Sequence, residues 1–120
     1  MSFNFEKLEV YKKAVDFANK IYNLTKKFPK EELFGIINQL RRAAISVSLN
    51  ISEGSGRSKK EFRHFLIMAR TSVQECIPLL EISSMQNYIT ASEKLEYYNR
   101  CEELSKMICG LINSLRTMNY

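Results

Sequence analysis

The chain has 120 residues, 45% of them hydrophobic, and a formal net charge of +5 at pH 7. This length is enough for one domain with a buried core and too short for two ordinary domains. Only four glycines and two prolines occur, which leaves little material for hairpins, so the composition predicts a single all-α domain over residues 1–120.

Positive charge is concentrated in the first half of the chain. Residues 1–60 hold twelve Lys or Arg against six Asp or Glu, a net of +6, and residues 61–120 hold six against seven, a net of −1. Such an excess fits an anionic partner, and equally fits an ordinary solvated surface. No apolar run approaches the roughly twenty residues of a membrane span and no secretion signal is evident, so the cytoplasm is the expected compartment.

Apolar spacing predicts two helices before residue 53. The first is expected over about 6–27, where apolar residues recur at helical steps and Phe28-Pro29 ends the pattern. The second is expected over about 31–52, and its residues 43–52 carry no charge at all. A helix so poor in charge is unusual at a protein surface, which indicates that another copy of the chain covers it.

Two further helices follow a glycine turn. Residues 54–56, Gly-Ser-Gly, predict a left-handed glycine cap, and Ser58 with Glu61 has the pattern of a capping box. The third helix is then expected over about 59–87, with a kink or break at Pro78.

Ser92 is the expected N-cap of a fourth helix over about 92–118. Four helices with short links predict an antiparallel up-down-up-down four-helix bundle.

Signatures of metal or cofactor chemistry are missing from the sequence. There is one histidine, the three cysteines Cys76, Cys101 and Cys109 fall on apolar helical positions, and no nucleotide-binding glycine motif occurs. We therefore expect reduced cysteines in the core, no metal site and no cofactor.

Arg57 and His64, separated by six residues, suggest one enzymatic interpretation. Their spacing fits the loose Arg-to-His motif of helical ribonucleases that resemble the HEPN family, in which His is a general acid or base and Arg stabilises phosphate charge. The alternative is a basic helix start with one surface histidine. Chance matches to so short a pattern are common, and we prefer this alternative.

A stripe of small and polar residues follows one face of the second helix. It comprises Gln39, Ala43, Ser46, Asn50 and Glu53, and Ser72 with Glu75 could match it on the third helix. Glu53 and Glu75 could in principle act as a catalytic carboxylate pair. The preferred interpretation is close helix packing in which these polar groups satisfy one another, Arg41, Arg42 or the backbone.

Basic residues are expected to gather at the end of the bundle that holds both termini and the turn between helices two and three. This candidate nucleic-acid-binding set is Lys7, Lys12, Lys13, Arg57, Lys59, Lys60, Arg63 and Arg116. A second group, Lys26, Lys27 and Lys30, is expected at the opposite end, about 30 Å away along helix two. The first set could bind phosphates, or could be a solvated surface balanced by neighbouring glutamates.

Several segments resemble a known bacterial family. They are FPKEELFG at 28–35, QLRRAAIS at 39–46, NISEG at 50–54 and ARTSVQE at 69–75. Together and in this order they resemble the four-helix-bundle proteins encoded in intervening sequences of 23S ribosomal RNA genes. The chain also looks like the accessory protein of diversity-generating retroelements, a relative thought to bind nucleic acid and a reverse transcriptase.

The resemblance implies a cyclic homopentamer with no established catalytic activity. The positions that match the family's pattern, with an expected role in packing or assembly, are Gln39, Arg41, Arg42, Ser46, Asn50, Glu53, Gly54, Ser72 and Glu75. The leading hypothesis is a non-enzymatic, homo-oligomeric scaffold or accessory protein with a basic surface for RNA or DNA. The alternatives are a protein-interaction module without nucleic-acid binding and, more remotely, the ribonuclease.

Overall fold

Four α-helices account for most of the computed structural model, which describes residues 3–117. They are α1 (Glu9–Thr25), α2 (Ile36–Ser55), α3 (Lys59–Met85) and α4 (Ala91–Thr117), and short 3-10 helices at Asn4–Lys7 and Lys30–Glu32 precede α1 and α2. Helix α2 packs against α1 and α3, and α3 also packs against α4. Helices α1 and α4 contact each other over a smaller area. No strand occurs between residues 3 and 117. The predicted antiparallel four-helix bundle is confirmed.

One apolar cluster with side chains from all four helices forms the core. Apolar residues at steps of three and four on each helix face inward, as their periodicity predicts. Among the most deeply buried are Ile21, Leu40, Val47, Ile51, Leu66, Val73, Leu104 and Ile108. Cys76 and Cys101 belong to this cluster, Cys109 is half-buried, and all three thiols are free. Hydrogen bonding with Cys101 and burial raise the pKa of Cys76, which keeps it a neutral thiol.

The first two helices begin later than the periodicity predicts. Helix α1 starts at Glu9 rather than near residue 6, because residues 4–7 form a 3-10 turn in which the Phe3 amide donates to Glu6 Oε1 at 2.7 Å. Helix α2 starts at Ile36 rather than near residue 31, because Gly35 adopts a φ of −114° and a ψ of −119°, outside the helical region.

The turn between α2 and α3 is built differently from the prediction. Helix α2 continues through Gly54 to Ser55, and Gly56 has a φ of −91°, so the predicted left-handed glycine cap is wrong. Ser58 is the N-cap of α3, as predicted, and its Oγ accepts a hydrogen bond from the Glu61 amide at 3.2 Å. Helix α3 runs without a break through Pro78 to Met85.

Helix α4 begins at Ala91, so Thr90 and not Ser92 stands at its N-cap position. The Glu93 amide donates to Thr90 Oγ1 at 3.0 Å, and the Thr90 amide donates to Glu93 Oε1 at 2.9 Å. This reciprocal pair is a capping box whose N-cap lies two residues before the predicted Ser92. Met118, where the prediction ended α4, lies outside the described residues.

Between residues 3 and 117, none of the helices combines the length and apolar character needed to cross a lipid bilayer.

Candidate nucleic-acid interface

The small-polar stripe of α2 faces α3 through a hydrogen-bonded seam. Ser72 Oγ on α3 donates to Ser46 Oγ on α2 at 2.9 Å and also lies 3.2 Å from the Met68 carbonyl. Asn50 Nδ2 donates to the Ser46 carbonyl at 2.8 Å and to its Oγ at 3.0 Å. Small side chains let the two helices approach, and their polar atoms satisfy one another. The geometry therefore supports the packing interpretation of Ser46, Asn50 and Ser72.

At Gly54 the backbone of α2 lies close to side chains of α3. A Cβ placed on Gly54 would lie 2.6 Å from Phe65 Cβ and 3.0 Å from Phe62 Cδ1, well inside van der Waals contact. Only a residue without a side chain fits there. Gly54 is thus required for close packing rather than for a left-handed cap, and it sets the position of the Phe65 ring on α3.

Toward the other end of the seam the helices leave an open groove of about 520 Å³. Its walls are formed by Gln39, Arg42, Ala43, Ser46, Glu75, Pro78 and Leu79. Glu53 does not join Glu75 in this groove. It lies eleven residues beyond Arg42 on α2, about 16 Å along the helix, where it forms an ion pair with Arg57. The structure does not assemble the carboxylate pair considered from the sequence.

Arg41 points away from this seam, toward α1. Its Nε donates to Thr25 Oγ1 at 2.9 Å, and its guanidinium lies 4.5 Å from the centre of the Tyr22 ring. The buried Thr25 hydroxyl in turn donates to the Ile21 carbonyl at 2.8 Å. Arg41 therefore ties α2 to the last turn of α1, whereas Arg42 is exposed beside the groove.

At the first turns of α3, basic and aromatic side chains surround an open hollow of about 790 Å³. Its walls are formed by Arg57, Ser58, Lys60, Glu61, Arg63, His64, Phe65 and Ile67. The Arg57 guanidinium lies 5.0 Å from the centre of the Phe65 ring, and the His64 ring meets the same ring edge-on at 6.0 Å. We call this site the α3 hollow.

Arg57 is the most constrained cation of the α3 hollow. It forms ion pairs with Glu53 and Glu61, and its Nε donates to the Glu53 carbonyl at 3.2 Å. Hydrogen bonding to Glu53 raises the pKa of Arg57. The Ser58 hydroxyl, which lies 2.9 Å from Glu61 Oε1, and Arg57 lower the pKa of Glu61. Glu61 is therefore charged at neutral pH, and the two ion pairs place the Arg57 guanidinium over the Phe65 ring.

The remaining predicted basic residues are divided between two sides of the molecule. Arg63 Nη1 donates to the Leu115 carbonyl at 3.3 Å, which brings the end of α4, with Arg116, next to the α3 hollow. Phe3 and Phe5 lie beside Ser55 and Gly56, so the segment that carries Lys7 reaches the same end of the bundle. Within residues 3–117, no ion pair forms at Lys7, Lys60 or Arg116.

Lys12 and Lys13 lie farther along α1. Lys12 pairs with Glu9 at 3.3 Å, and Lys13 pairs with Glu103 of α4 at 3.2 Å. Glu103 precedes Arg116 by thirteen residues, about 20 Å along α4. Lys13 therefore faces the α1–α4 side, away from the α3 hollow. Lys59 begins α3 and is exposed.

The candidate set predicted from the sequence contains only Lys and Arg, so sequence reasoning missed the aromatic component of this site. The signal was present, since Phe65 follows Arg63 and His64 directly. A phenylalanine at this point of an amphipathic helix is typical of an ordinary core residue, and its contacts with Gly54, Arg57 and His64 show where its ring lies. No group of three or more His, Cys, Asp or Glu suited to a metal ion occurs within residues 3–117.

Exposed apolar side chains occur in two other places. On α2 and α3, Leu49, Ile67, Met68 and Ile82 are between 38% and 60% exposed. At the end opposite the α3 hollow, Leu33, Phe34, Met85 and Leu95 are exposed, Phe34 at 92% and Met85 at 77%. Exposed apolar groups in such number are typical of surfaces that contact other molecules.

An antiparallel bundle with a small-residue seam and a basic end defines the protein as a small, all-helical bundle domain. More particularly, the chain belongs to the family of 23S rRNA-intervening sequence proteins, whose family model matches residues 6–110. This confirms the relationship indicated by the sequence segments.

A solved structure supports the same fold. The chain is similar to a protein of unknown function from the S23 ribosomal protein family of Bacteroides thetaiotaomicron VPI-5482, with 28% identity and a TM-score of 0.80. The similarity covers 87% of this chain and 95% of the other. Among curated proteins, none matches the chain.

Proposed function

We propose that this protein is a non-enzymatic, homo-oligomeric scaffold or accessory protein of the bacterial cytoplasm that binds RNA or DNA through its basic end. The observation that carries the proposal is the α3 hollow, where Arg57, Lys60 and Arg63 share one surface. A nucleic acid is the polyanion that such a surface suits best, because each neutralised phosphate releases condensed counterions.

Charge in and around the α3 hollow supports this assignment. Arg57, Lys60, Arg63 and Glu61 give its lining a formal +2, and Glu53, which pairs with Arg57 from outside the lining, reduces the local charge to +1. Lys7 and Arg116 lie at the same end of the bundle and add to the field. By contrast, Lys27 at the opposite end forms an ion pair with Glu93. The end with the α3 hollow therefore attracts phosphate more strongly.

Support for self-association comes from α2 and α3. Residues 43–52 of α2 carry no charge, and Leu49 among them is 60% exposed. Met68 and Ile82 extend the exposed apolar area onto α3. Covering these groups with a second copy would remove apolar surface from water. The number of copies, five, follows only from the family resemblance, and a ring would present several basic ends together.

Nucleic-acid binding is tested by fluorescence anisotropy over a series of salt concentrations. Affinity should fall linearly in log–log form, and Lys60→Glu with Arg63→Glu should lower the slope by about 1.4 to 1.8, the value expected for two lost phosphate contacts. The matched control, Lys26→Glu with Lys30→Glu, makes the same charge change at the opposite end and should leave most binding intact. Binding that is absent, or insensitive to salt, contradicts the proposal.

Self-association is tested by light scattering on the purified protein. Leu49→Glu should shift the mass toward the monomer, because the new charge would have to be buried in the contact. Leu95→Glu, at an equally exposed position on α4, is the control and should not change the mass. A monomeric wild-type protein at micromolar concentration contradicts this part of the proposal.

A second candidate function is a protein-interaction module in which the basic residues are incidental. The exposed Leu33, Phe34, Met85 and Leu95 favour it, since they suit an apolar partner. The resemblance to the retroelement accessory protein suggests that the partner bound at these apolar residues is a reverse transcriptase or another protein. Such a contact should survive Lys60→Glu with Arg63→Glu and be lost in Phe34→Glu, as measured by co-purification with the candidate partner.

The ribonuclease alternative uses the pair Arg57 and His64. Both side chains line the α3 hollow, but the Arg57 guanidinium already forms ion pairs with Glu53 and Glu61. Cleavage of RNA by the wild type that disappears in His64→Ala would favour it over the scaffold.

A further inference from the structure

The α3 hollow combines two kinds of side chain that bind different parts of a nucleotide. Lys60 and Arg63 offer cationic groups, and His64 offers an exposed aromatic ring beside the Arg57 guanidinium, which lies over Phe65. A surface that bound phosphates alone would need only the cations. The rings therefore call for an occupant that has an aromatic component beside its negative charge.

Packing holds the ring system in place. Phe65 Cβ sits against the backbone of Gly54, so the base of its side chain cannot shift toward α2. The Arg57 guanidinium covers the Phe65 ring at 5.0 Å and is itself fixed by Glu53 and Glu61. His64 is exposed, and its ring stands against Phe65 at an interplanar angle of 74°. His64 and the Arg57 plane are thus preformed surfaces for stacking.

The size and openness of the α3 hollow fit a nucleotide. Its volume of about 790 Å³ lies within the roughly 300–1,000 Å³ typical of small-molecule sites. Bases stack on histidine rings and on guanidinium planes in single-strand recognition, whereas the bases of a duplex are already stacked on each other. Ile67, 38% exposed at the edge of the α3 hollow, adds an apolar contact for a base.

We infer that the α3 hollow binds an unpaired nucleotide of a single-stranded nucleic acid, with the base against His64 and Arg57 and the flanking phosphates on Lys60 and Arg63. This inference rests on the proposed nucleic-acid function and narrows it to unpaired strands. It assigns the binding energy to two sources that can be separated, namely charge and stacking.

The test compares three labelled probes with equal numbers of phosphates by fluorescence anisotropy. They are a single-stranded oligothymidylate, an abasic oligomer with the same sugar-phosphate backbone, and a hairpin duplex. The wild type should bind the oligothymidylate about tenfold more tightly than the abasic oligomer, as expected for one stacked base. Equal affinity for these two probes would overturn the inference.

Variants at His64 connect this preference to the α3 hollow. His64→Ala should reduce the preference for bases several-fold while leaving the affinity for the abasic oligomer nearly unchanged, and His64→Tyr should restore it because a ring is retained. Tyr98→Ala, which removes an exposed ring on α4, is the control and should have no effect. Equal weakening of both probes in His64→Ala would overturn the assignment of stacking to His64.

The outcomes separate the two proposals. Salt-dependent binding without a preference for bases refutes the inference and leaves the proposed function standing. Absence of binding to all three probes refutes both.

Discussion

The two ends of the α2–α3 seam pack in opposite ways. At the closed end, Gly54 lets the backbone of α2 rest against Phe65. Arg57 forms ion pairs there with Glu53 and Glu61, and Ser58 caps α3. At the open end, Ala43 and Pro78 face each other across a groove of about 520 Å³. The same helix pair therefore provides a rigid platform beneath the α3 hollow and a loosely filled cleft toward the other end.

The largest effect is expected at the closed end. Gly54→Ala should lower the free energy of unfolding by about 1 to 2 kcal/mol, because overpacking costs roughly 1–3 kcal/mol and the gain in helix propensity of up to about 1 kcal/mol offsets only part of it. Gly54→Val, with a larger clash and a β-branch, should lower it further. Urea denaturation measures both.

Gly110 provides the matched control, since it also lies within a helix but has no atom within 4 Å of an added Cβ. Gly110→Ala should raise stability by about 0.5–1 kcal/mol. If Gly54→Ala and Gly110→Ala changed stability in the same direction, tight packing at Gly54 would no longer distinguish the closed end of the α2–α3 seam from its open end.

The middle of the seam should respond less strongly. Ser46→Ala removes the Oγ that receives hydrogen bonds from Ser72 and Asn50, and should cost about 0.5–1.5 kcal/mol in urea denaturation. Ser48→Ala is the control, because Ser48 Oγ bonds only to the Ile45 carbonyl of its own helix at 3.0 Å. Equal costs for the two variants would show that the bond between helices contributes nothing.

The smallest effect concerns acid stability at the closed end. The pKa of Glu61 is lowered below its ordinary 4.5 by the Ser58 hydroxyl and by Arg57. Its contribution to stability is therefore fully present above about pH 4.5 and is lost as the pH falls through the lower, folded-state pKa. The melting temperature of Glu61→Gln should thus lie slightly below the wild type at pH 7 and converge with it once the pH has fallen below that folded-state pKa. Parallel curves would contradict this, and Glu102→Gln controls for the lost charge.

Sequence patterns predicted the fold well because the bundle follows from apolar periodicity and short connections. Ser58 was recognisable as a cap from its spacing to Glu61. Thr90 and Glu93 have the same spacing and cap α4, where Ser92 is the N-cap predicted from the sequence. The late start of α2 depends on the backbone angles of Gly35, which no residue pattern specifies.

The candidate site was less predictable for a physical reason. A glycine near a helix end can adopt a positive φ or can allow a neighbouring helix to pack closely, and the residue type does not distinguish these two uses. Gly54 serves the second. The basic residues were found by charge alone, whereas their division between the α3 hollow and the α1–α4 side depends on partners such as Glu103 and Leu115, far away in the sequence.

Helices α1 and α4 have fewer contacts than the other neighbouring helix pairs, which affects the order in which parts of the bundle unfold. These helices come from opposite ends of the chain, so their pairing closes the longest loop, whereas α2 and α3 are joined by three residues. The α2–α3 hairpin should therefore form early in folding and exchange its amide protons last. Transient separation of α1 from α4 would leave the α3 hollow nearly intact. A bound strand could therefore remain in place while the opposite side of the bundle opens and closes.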